Sequence, residues 1–426
     1  MQRSKVGVIS DGQLIRLAMD AAQDCNQDVS IYGQSITASA VAKLLTTQRN
    51  LVWFVEIPHG DWENNLTLSE FASELGIWNP VTTEWENVSA RVFMKLRRLW
   101  LIPRPDPIYL TFFQDRLLEK TLAKEAWLDT PWFRDIESLE DIKIALAEFW
   151  WEIIIKTRRS GYDGKWQYRV SNKTDIQTLW EEHLSQQVQT VGLIAEERIQ
   201  NFEYEVSIIA GRAVDGSIQM FPPMLNIHEN GILRYTVSPA PVTSFMAEHR
   251  VSERAQGIVK TFFEEINAQC PEGYVGLMAM ELFITQDGRI LFNEIAPRPH
   301  NSGHGTLDSH YTSQNHLWMS AVGGKPLDQT PEFRQYVIME NILSEAELAA
   351  VIDGKSRWQI PWVLYDYQKI AHQPKRNDRT QRKLAHINHF WEEINALIAE
   401  YTAWDISLQE VFSRVKTHDK SLMAAE

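Results

Sequence analysis

The sequence predicts a chain of mixed class, an α/β unit at the N-terminus followed by an α+β body whose strands are mostly antiparallel. Three observations carry that prediction. The opening residues read strand, helix, strand. Arg104-Pro105-Asp106-Pro107 interrupts every regular pattern and makes a linker. From Glu152 onward, strand-like segments joined by tight turns take over from the earlier alternation.

The elements follow in order. Lys5–Ile9 is a buried strand, Asp11-Gly12 a turn, Gln13–Cys25 an amphipathic helix and Val29–Tyr32 a second strand, so the chain opens as βαβ. Past the proline-rich linker, Asp115 is placed to cap a helix ending near Ala126. Ser138 and Asp141 have capping-box spacing, ahead of a helix ending near Glu148. Strands are expected at Ile153–Lys156, Val191–Arg198, Tyr204–Ala213, Ser217–Phe221, Ala279–Thr285 and Arg289–Ile295. Asp215-Gly216 and Asp287-Gly288 read as two-residue turns joining pairs of these into hairpins. The tail after Leu327 suggests a helix over Ser344–Ile352, a strand over Trp358–Tyr365 and a basic loop.

Composition narrows the function classes. With 42 Lys plus Arg against 56 Asp plus Glu, the net charge of −14 argues against a general nucleic-acid binder. No stretch approaches the ~18 uncharged apolar residues of a spanning helix, since even Phe149–Ile155 carries Glu152. The first residues run directly into a strand, leaving no room for a signal peptide. Cys25 and Cys270 are too few for a disulfide framework and suit a reducing cytoplasm. The outlying count is 16 Trp.

Two constellations carry chemistry. A two-residue turn at Asp287-Gly288 opposes residues whose numbers sum to 287 + 288 = 575, which pairs Glu281 with Glu294 and, one pair nearer the turn on the same face, Phe283 with Phe292. Two carboxylates so placed repel. A shared proton or a hard divalent cation such as Mg²⁺ would neutralise them, and a solvated acidic pair is the plain alternative. Lys156 ends an apolar strand and is followed by a loop in which Gly161 and Gly164 flank Tyr162-Asp163, with Lys165 next. Such a loop, rich in backbone N–H, suits a phosphate cradle or an exposed basic hairpin, but it is neither a Walker A sequence nor GxGxxG. Arg116 and Lys120, four apart on the expected helix, fit either a ligand face or a solvated one. His300 and His304 have i,i+4 spacing, but Pro299, Gly303 and Gly305 argue against the regular helix that would aim both at one metal ion.

RLLEK (116–120), KTRRSGYDGKWQ (156–167), FPPMLNIHENGIL (221–233), YVGLMAMELF (274–283) and NEIAPRPHNSGH (293–304) occur in this order. Together they resemble the N5-carboxyaminoimidazole ribonucleotide synthase family of ATP-grasp enzymes in purine biosynthesis, from Lys5 to about Asn388. The resemblance implies an N-terminal α/β domain (1–103), a central ATP-grasp domain (104–325) and a small C-terminal domain with a tail (326–426). It implies ATP and Mg²⁺, with bicarbonate as co-substrate for carboxylating aminoimidazole ribonucleotide, and a homodimer in the cytoplasm. Carried over by position, Arg116 and Lys156 hold ATP phosphates beneath a mobile loop of Gly161, Tyr162, Asp163, Gly164, Lys165 and Gln167. Glu197, Arg198, Ile199 and Gln200 match the adenine-contacting linker, Glu205 the ribose acceptor and His228 a nucleotide-side position. Glu281 and Glu294 match the metal carboxylates, with Asn293 beside them. Arg298, His300, Asn301 and Ser302 match the carboxyphosphate and substrate pocket, joined by Gln13, Glu84 and Glu86. Arg379, Arg382 and Lys383, in KRNDRTQRK, match a stretch that binds substrate phosphate. Asp163 is the expected base, with Tyr162 beside it and Arg298 on the transferred phosphoryl group.

Three positions depart from the pattern: Ser10-Asp11-Gly12 replaces a triple glycine, Trp166 replaces a loop glycine, and Tyr365-Asp366-Tyr367 replaces Tyr-Gly-Lys. They leave open a catalytically impaired nucleotide-binding homologue. A sibling ATP-grasp ligase, the formate-dependent glycinamide ribonucleotide transformylase, is the other alternative, and PRPHNSGH speaks against it.

Overall fold

The computed structural model describes residues 3–10, 15–34, 51–57, 61–149, 152–159, 166–229, 231–240, 244–268, 273–344, 347 and 385–390. β1 (Ser4–Ile9), α1 (Ile15–Asp24) and β2 (Gln27–Gln34) make the expected parallel βαβ unit, with Val6 opposite Val29. β3 (Leu51–Ile57), β4 (Pro80–Thr83) and β5 (Ile102–Pro103) complete a parallel sheet in the order β3-β2-β1-β4-β5. α2 (Asn65–Leu75) crosses this sheet at Gly7, where a Cβ would meet Leu75 Cδ2 at 2.6 Å, so only glycine permits the approach. α3 (Ala90–Arg98) and α4 (Pro107–Phe113) lead through the linker to α5 (Arg116–Glu125). Asp115 caps α5 by accepting from Leu117 N at 3.1 Å. The capping box forms as read: Ser138 N donates to Asp141 Oδ2 at 2.8 Å and Asp141 N to Ser138 Oγ at 3.3 Å, opening α6 (Leu139–Glu148).

Two antiparallel sheets follow. The smaller contains β6 (Phe133–Ile136), β7 (Glu152–Thr157), β8 (Gln167–Ser171) and β9 (Leu193–Glu197), in the order β6-β9-β7-β8. The larger contains β10 (Phe202–Arg212), β11 (Ile218–Met220), β12 (Met224–Glu229), β13 (Ile232–Ser238), β14 (Gly276–Thr285), β15 (Ile290–Ala296), β16 (Val337–Ile342) and β17 (Ala385–Phe390). Its order is β15-β14-β10-β12-β13-β16-β17, with β11 on β10. α7 (Val251–Ala268) buries Val259, Phe262, Phe263 and Ile266 against one face. α8 (Gln314–Val322) packs between the other face and the N-terminal unit; its Trp318 is fully buried and donates to Thr82 Oγ1 at 3.2 Å. The strands of the C-terminal region thus extend the central sheet.

The helix read over Gln13–Cys25 is described over Ile15–Asp24, its first two residues lying outside the described residues. Three readings need correction. The strand read from Val191 begins at Leu193, because Gly192 turns the backbone at φ +72°. Both hairpins close through three-residue loops, 214–216 and 286–288, whose last residues, Gly216 and Gly288, take φ +88° and +75°. The second loop shifts the pairing near the turn by one, so Phe283 opposes Leu291 and Leu282 opposes Phe292. A bulge at Asn293 shifts it back and restores Glu281 opposite Glu294. The carboxylate pair was therefore read correctly through a turn of the wrong length. Phe283 and Phe292 do not share a face: Phe292 is in the core against Phe262, while Phe283 lines the cleft described below. The expected tail helix, strand and basic loop lie, apart from Ser344 and Glu347, outside the described residues.

Among the described residues, four tryptophans hold left-handed backbone: Trp78, Trp100, Trp127 and Trp166, with φ between +61° and +65°. Trp100 and Trp127 stand just past the C-caps of α3 and α5. There Leu101 N reaches back to Leu96 O at 3.1 Å and Leu128 N to Ala123 O at 2.9 Å. This is the helix-ending motif that glycine enters without strain.

Candidate active site

A cavity of about 580 Å³ opens between the two antiparallel sheets and gathers most of the residues singled out by sequence. Its smaller-sheet wall is built by β7, β8 and β9. Lys156, at the end of the apolar β7, projects an ammonium that donates to Glu196 Oε2 at 2.8 Å. Gln167, Glu197, Arg198 and Ile199 line the same wall. Arg116, the first residue of α5, sits at the rim; its guanidinium donates to Thr157 O at 3.0 Å and lies 3.6 Å from Glu294.

The larger-sheet wall is acidic. Glu205 on β10 accepts from Asn226 Nδ2 at 3.3 Å, and His228 on β12 places Nδ1 3.4 Å from its carboxylate. Burial, reinforced by the charge of Glu294, raises the Glu205 carboxyl to a pKa of about 8. Glu281 and Glu294 oppose one another on β14 and β15, and His300 Nε2 lies 3.5 Å from Glu281. Glu205, His228 and Glu281 each offer a ligand atom, and these atoms lie within 4.8 Å of one another. Two of the three, Glu205 and Glu281, are buried carboxylates, and such oxygen donors fit a hard divalent cation such as Mg²⁺, which shares them with phosphates.

Arg298, His300 and Asn301 form the end of the cleft nearest the N-terminal unit. Arg298 pairs with Glu86; burial opposes its charge, but that pairing raises its pKa above the ordinary guanidinium value. Neither side-chain polar atom of Asn301 has a hydrogen-bond partner among the described residues, an orphaned amide facing the cavity. Three expected site residues lie outside the lining. Glu84 accepts from Ser10 Oγ at 2.7 Å, Ser302 is buried between Ser207 Oγ at 2.7 Å and His300 Nδ1 at 2.8 Å, and Gln200 lies on the connection beyond β9. Gln13, Gly161, Tyr162, Asp163, Gly164, Lys165, Arg379, Arg382 and Lys383 lie outside the described residues. Sequence reading missed Glu196, fully enclosed between Lys120 and Lys156. Burial works against its charge, yet the two ammonium groups hold it at about 2. It also missed the apolar Ile154 and Phe202, which line the cleft together with Phe283, the aromatic that the sequence places on the face of Glu281.

Two antiparallel sheets closing on one cleft, cations on one wall and paired carboxylates on the other, define an ATP-grasp protein. The sequence model of the ATP-grasp domain matches residues 121–315. An N5-carboxyaminoimidazole ribonucleotide synthase from Brucella melitensis is 30% identical over 387 residues, covering 90% of this chain and 95% of its own. The bifunctional purine synthesis protein of Dictyostelium discoideum is 32% identical over 331 residues, 76% of this chain but only 30% of that longer polypeptide. Among solved structures, the ADP complex of an N5-carboxyaminoimidazole ribonucleotide synthetase superimposes with a TM-score of 0.77 at 26% identity, covering 98% of each chain. The chain belongs to the N5-carboxyaminoimidazole ribonucleotide synthase family.

Proposed function

We propose that the chain uses ATP and bicarbonate to carboxylate the amine of 5-aminoimidazole ribonucleotide, giving N5-carboxyaminoimidazole ribonucleotide. The observation that carries this reading is the cleft itself, which sets Arg116 and Lys156 across from Glu205, Glu281 and Glu294 and leads to the Arg298–His300–Asn301 corner. In this reading the adenine lies against Ile154, Phe202 and Phe283 and is read by the backbone of Glu197–Ile199, while Glu205 and His228 accept and orient the ribose hydroxyls. Glu281 and Glu294, with Asn293 alongside, would hold Mg²⁺, which neutralises phosphate charge when bound. Lys156 and Arg116 bind and orient the phosphates.

A bicarbonate oxygen attacks the γ-phosphorus, the bond to ADP breaks, and Arg298 balances charge on the transferred group. Carboxyphosphate then breaks into CO₂ and phosphate in a site shielded from water. The amine nitrogen bonds to the CO₂ carbon and gives up a proton to Asp163, with Tyr162 alongside. Gln13 and Glu86 are assigned to the substrate side, with Glu84 and Ser302 supporting it from behind through Ser10 and His300, and Arg379, Arg382 and Lys383 to its phosphate. Residues 1–103 are assigned to the substrate-side α/β domain, 104–325 to the ATP-grasp domain and 326–426 to the closing C-terminal region. Homodimer assembly and a cytoplasmic setting complete the assignment.

The test is ADP release from Mg-ATP and bicarbonate, with and without 5-aminoimidazole ribonucleotide, in the parent and in Glu281→Ala. Release stimulated by the ribonucleotide and lost in Glu281→Ala is expected. Nucleotide binding with no release would favour the impaired homologue, for which Trp166, an L-residue at φ +61° beside the phosphate loop, is the specific argument.

A further inference from the structure

Glu294 stands on an edge strand that is bulged at Asn293, and a bulge leaves backbone groups without ladder partners. Two side chains of α5 take those groups: the Lys120 ammonium and the carboxyl of Glu119, whose pKa burial raises well above the ordinary range. Lys120 Nζ donates to Asn293 O at 3.0 Å, and Glu119 Oε1 accepts from Ile295 N at 2.5 Å, so the peptides on either side of Glu294 are both gripped by one helix. The same Lys120 ammonium lies 3.5 Å from Glu196 Oε2, the oxygen that receives Lys156 at 2.8 Å. Lys120 is 1% exposed and does not line the cavity. A charge so deeply buried needs a compensating reason, and phosphate contact does not supply one.

The geometry points to Lys120 as a positioning residue that couples the two walls of the cleft, fixing the Glu294 peptide on one side and, through Glu196, the Lys156 ammonium on the other. Glu196 cannot balance Lys156 alone without cancelling the charge offered to phosphates; sharing it with Lys120 leaves the cluster of two lysines and one carboxylate net positive. Burial lowers the Lys120 pKa and Glu196 opposes that shift, as expected of an ammonium retained by its carboxylate.

This inference rests on the nucleotide reading of the cleft. Its test measures Mg-ADP affinity by calorimetry in the parent, in Lys120→Met and in the charge-balanced Lys120→Met/Glu196→Gln, with thermal unfolding alongside. Lys120→Met is expected to weaken Mg-ADP at least about tenfold, and the double variant to return within about threefold of the parent, because removing both charges restores the positive cluster. A lysine acting only through its bond to the Asn293 carbonyl would show no such rescue, because the double variant lacks that bond as well. Lys120→Met binding within threefold of the parent, or a double variant weaker than the single, overturns the inference. A parent that binds no Mg-ADP would instead sink the nucleotide reading. If Lys120→Met fails to fold, Glu196→Gln, which keeps both lysines, carries the test: turnover should fall at least about tenfold with the KM for ATP changed less than threefold. A change confined to KM would overturn the proposal.

Discussion

Trp127 ends α5, the helix that carries Arg116, Glu119 and Lys120, and it does so at φ +62° with 86% of its surface exposed. An L-residue in that region costs about 1–2 kcal/mol, which glycine avoids. Replacing it by glycine also frees the unfolded chain, at a cost of about 0.4–1 kcal/mol. So exposed an indole gives up little burial, and the helix-ending hydrogen bond from Leu128 N to Ala123 O needs no side chain at 127. The balance favours Trp127→Gly by ~0.5–1 kcal/mol, read as a rise of ~1–3 °C in the midpoint of the transition that includes α5. Trp127→Ala isolates the cause, because alanine removes the indole but keeps the Cβ and its left-handed penalty. Thermal and urea unfolding of both variants should therefore give a gain for glycine and none for alanine. Equal midpoints for the two would refute the backbone argument.

Further predictions come from the cleft. The native carboxyl of Glu205 titrates near 8, against about 4.3 unfolded. The folded state therefore binds more protons between those values, and stability falls as pH rises through that window. Glu205→Gln should flatten the decline in melting temperature of the nucleotide-free, metal-free protein from pH 6 to 9, while weakening ATP; an unchanged slope contradicts the assignment. Trp166→Gly relieves the same left-handed penalty beside the phosphate loop and should raise kcat by up to about tenfold, while an unchanged kcat means that the strained backbone is no obstacle to closure. Lys156→Met should lower kcat/KM for ATP by about 10²–10³ at the optimum pH, and a loss below threefold would remove Lys156 from the phosphate site.

The parts of the fold that were legible in the sequence were those fixed by local chemistry. Asp115 and the Ser138/Asp141 pair announced their helices, and the strand–helix–strand order from Lys5 to Tyr32 announced the parallel opening. α7 was equally readable, since Val259, Phe262, Phe263 and Ile266 recur at helical spacing, yet it was not read. The hairpin shows how a register can be right for a wrong reason. Turn length and bulge each shift pairing by one, in opposite senses, and neither shift shows in the motif Asp287-Gly288 alone. Only the side-chain consequence, Phe292 turned into the core, reveals them. Glu196 was not legible because its role depends on two lysines 76 and 40 positions away, which the fold brings to one carboxylate. Glu84 and Ser302 were placed in the substrate pocket by motif position, but their hydrogen bonds turn them to Ser10, Ser207 and His300.

The most direct measurement of the account follows oxygen. With ¹⁸O-labelled bicarbonate, Mg-ATP and 5-aminoimidazole ribonucleotide, the released phosphate is analysed by mass spectrometry. Carboxyphosphate requires one bicarbonate oxygen to remain on the phosphorus, so phosphate carrying one ¹⁸O, formed in step with ADP, is the predicted result. Unlabelled phosphate would mean that water, not bicarbonate, meets the γ-phosphate, and the proposed carboxylation would be wrong.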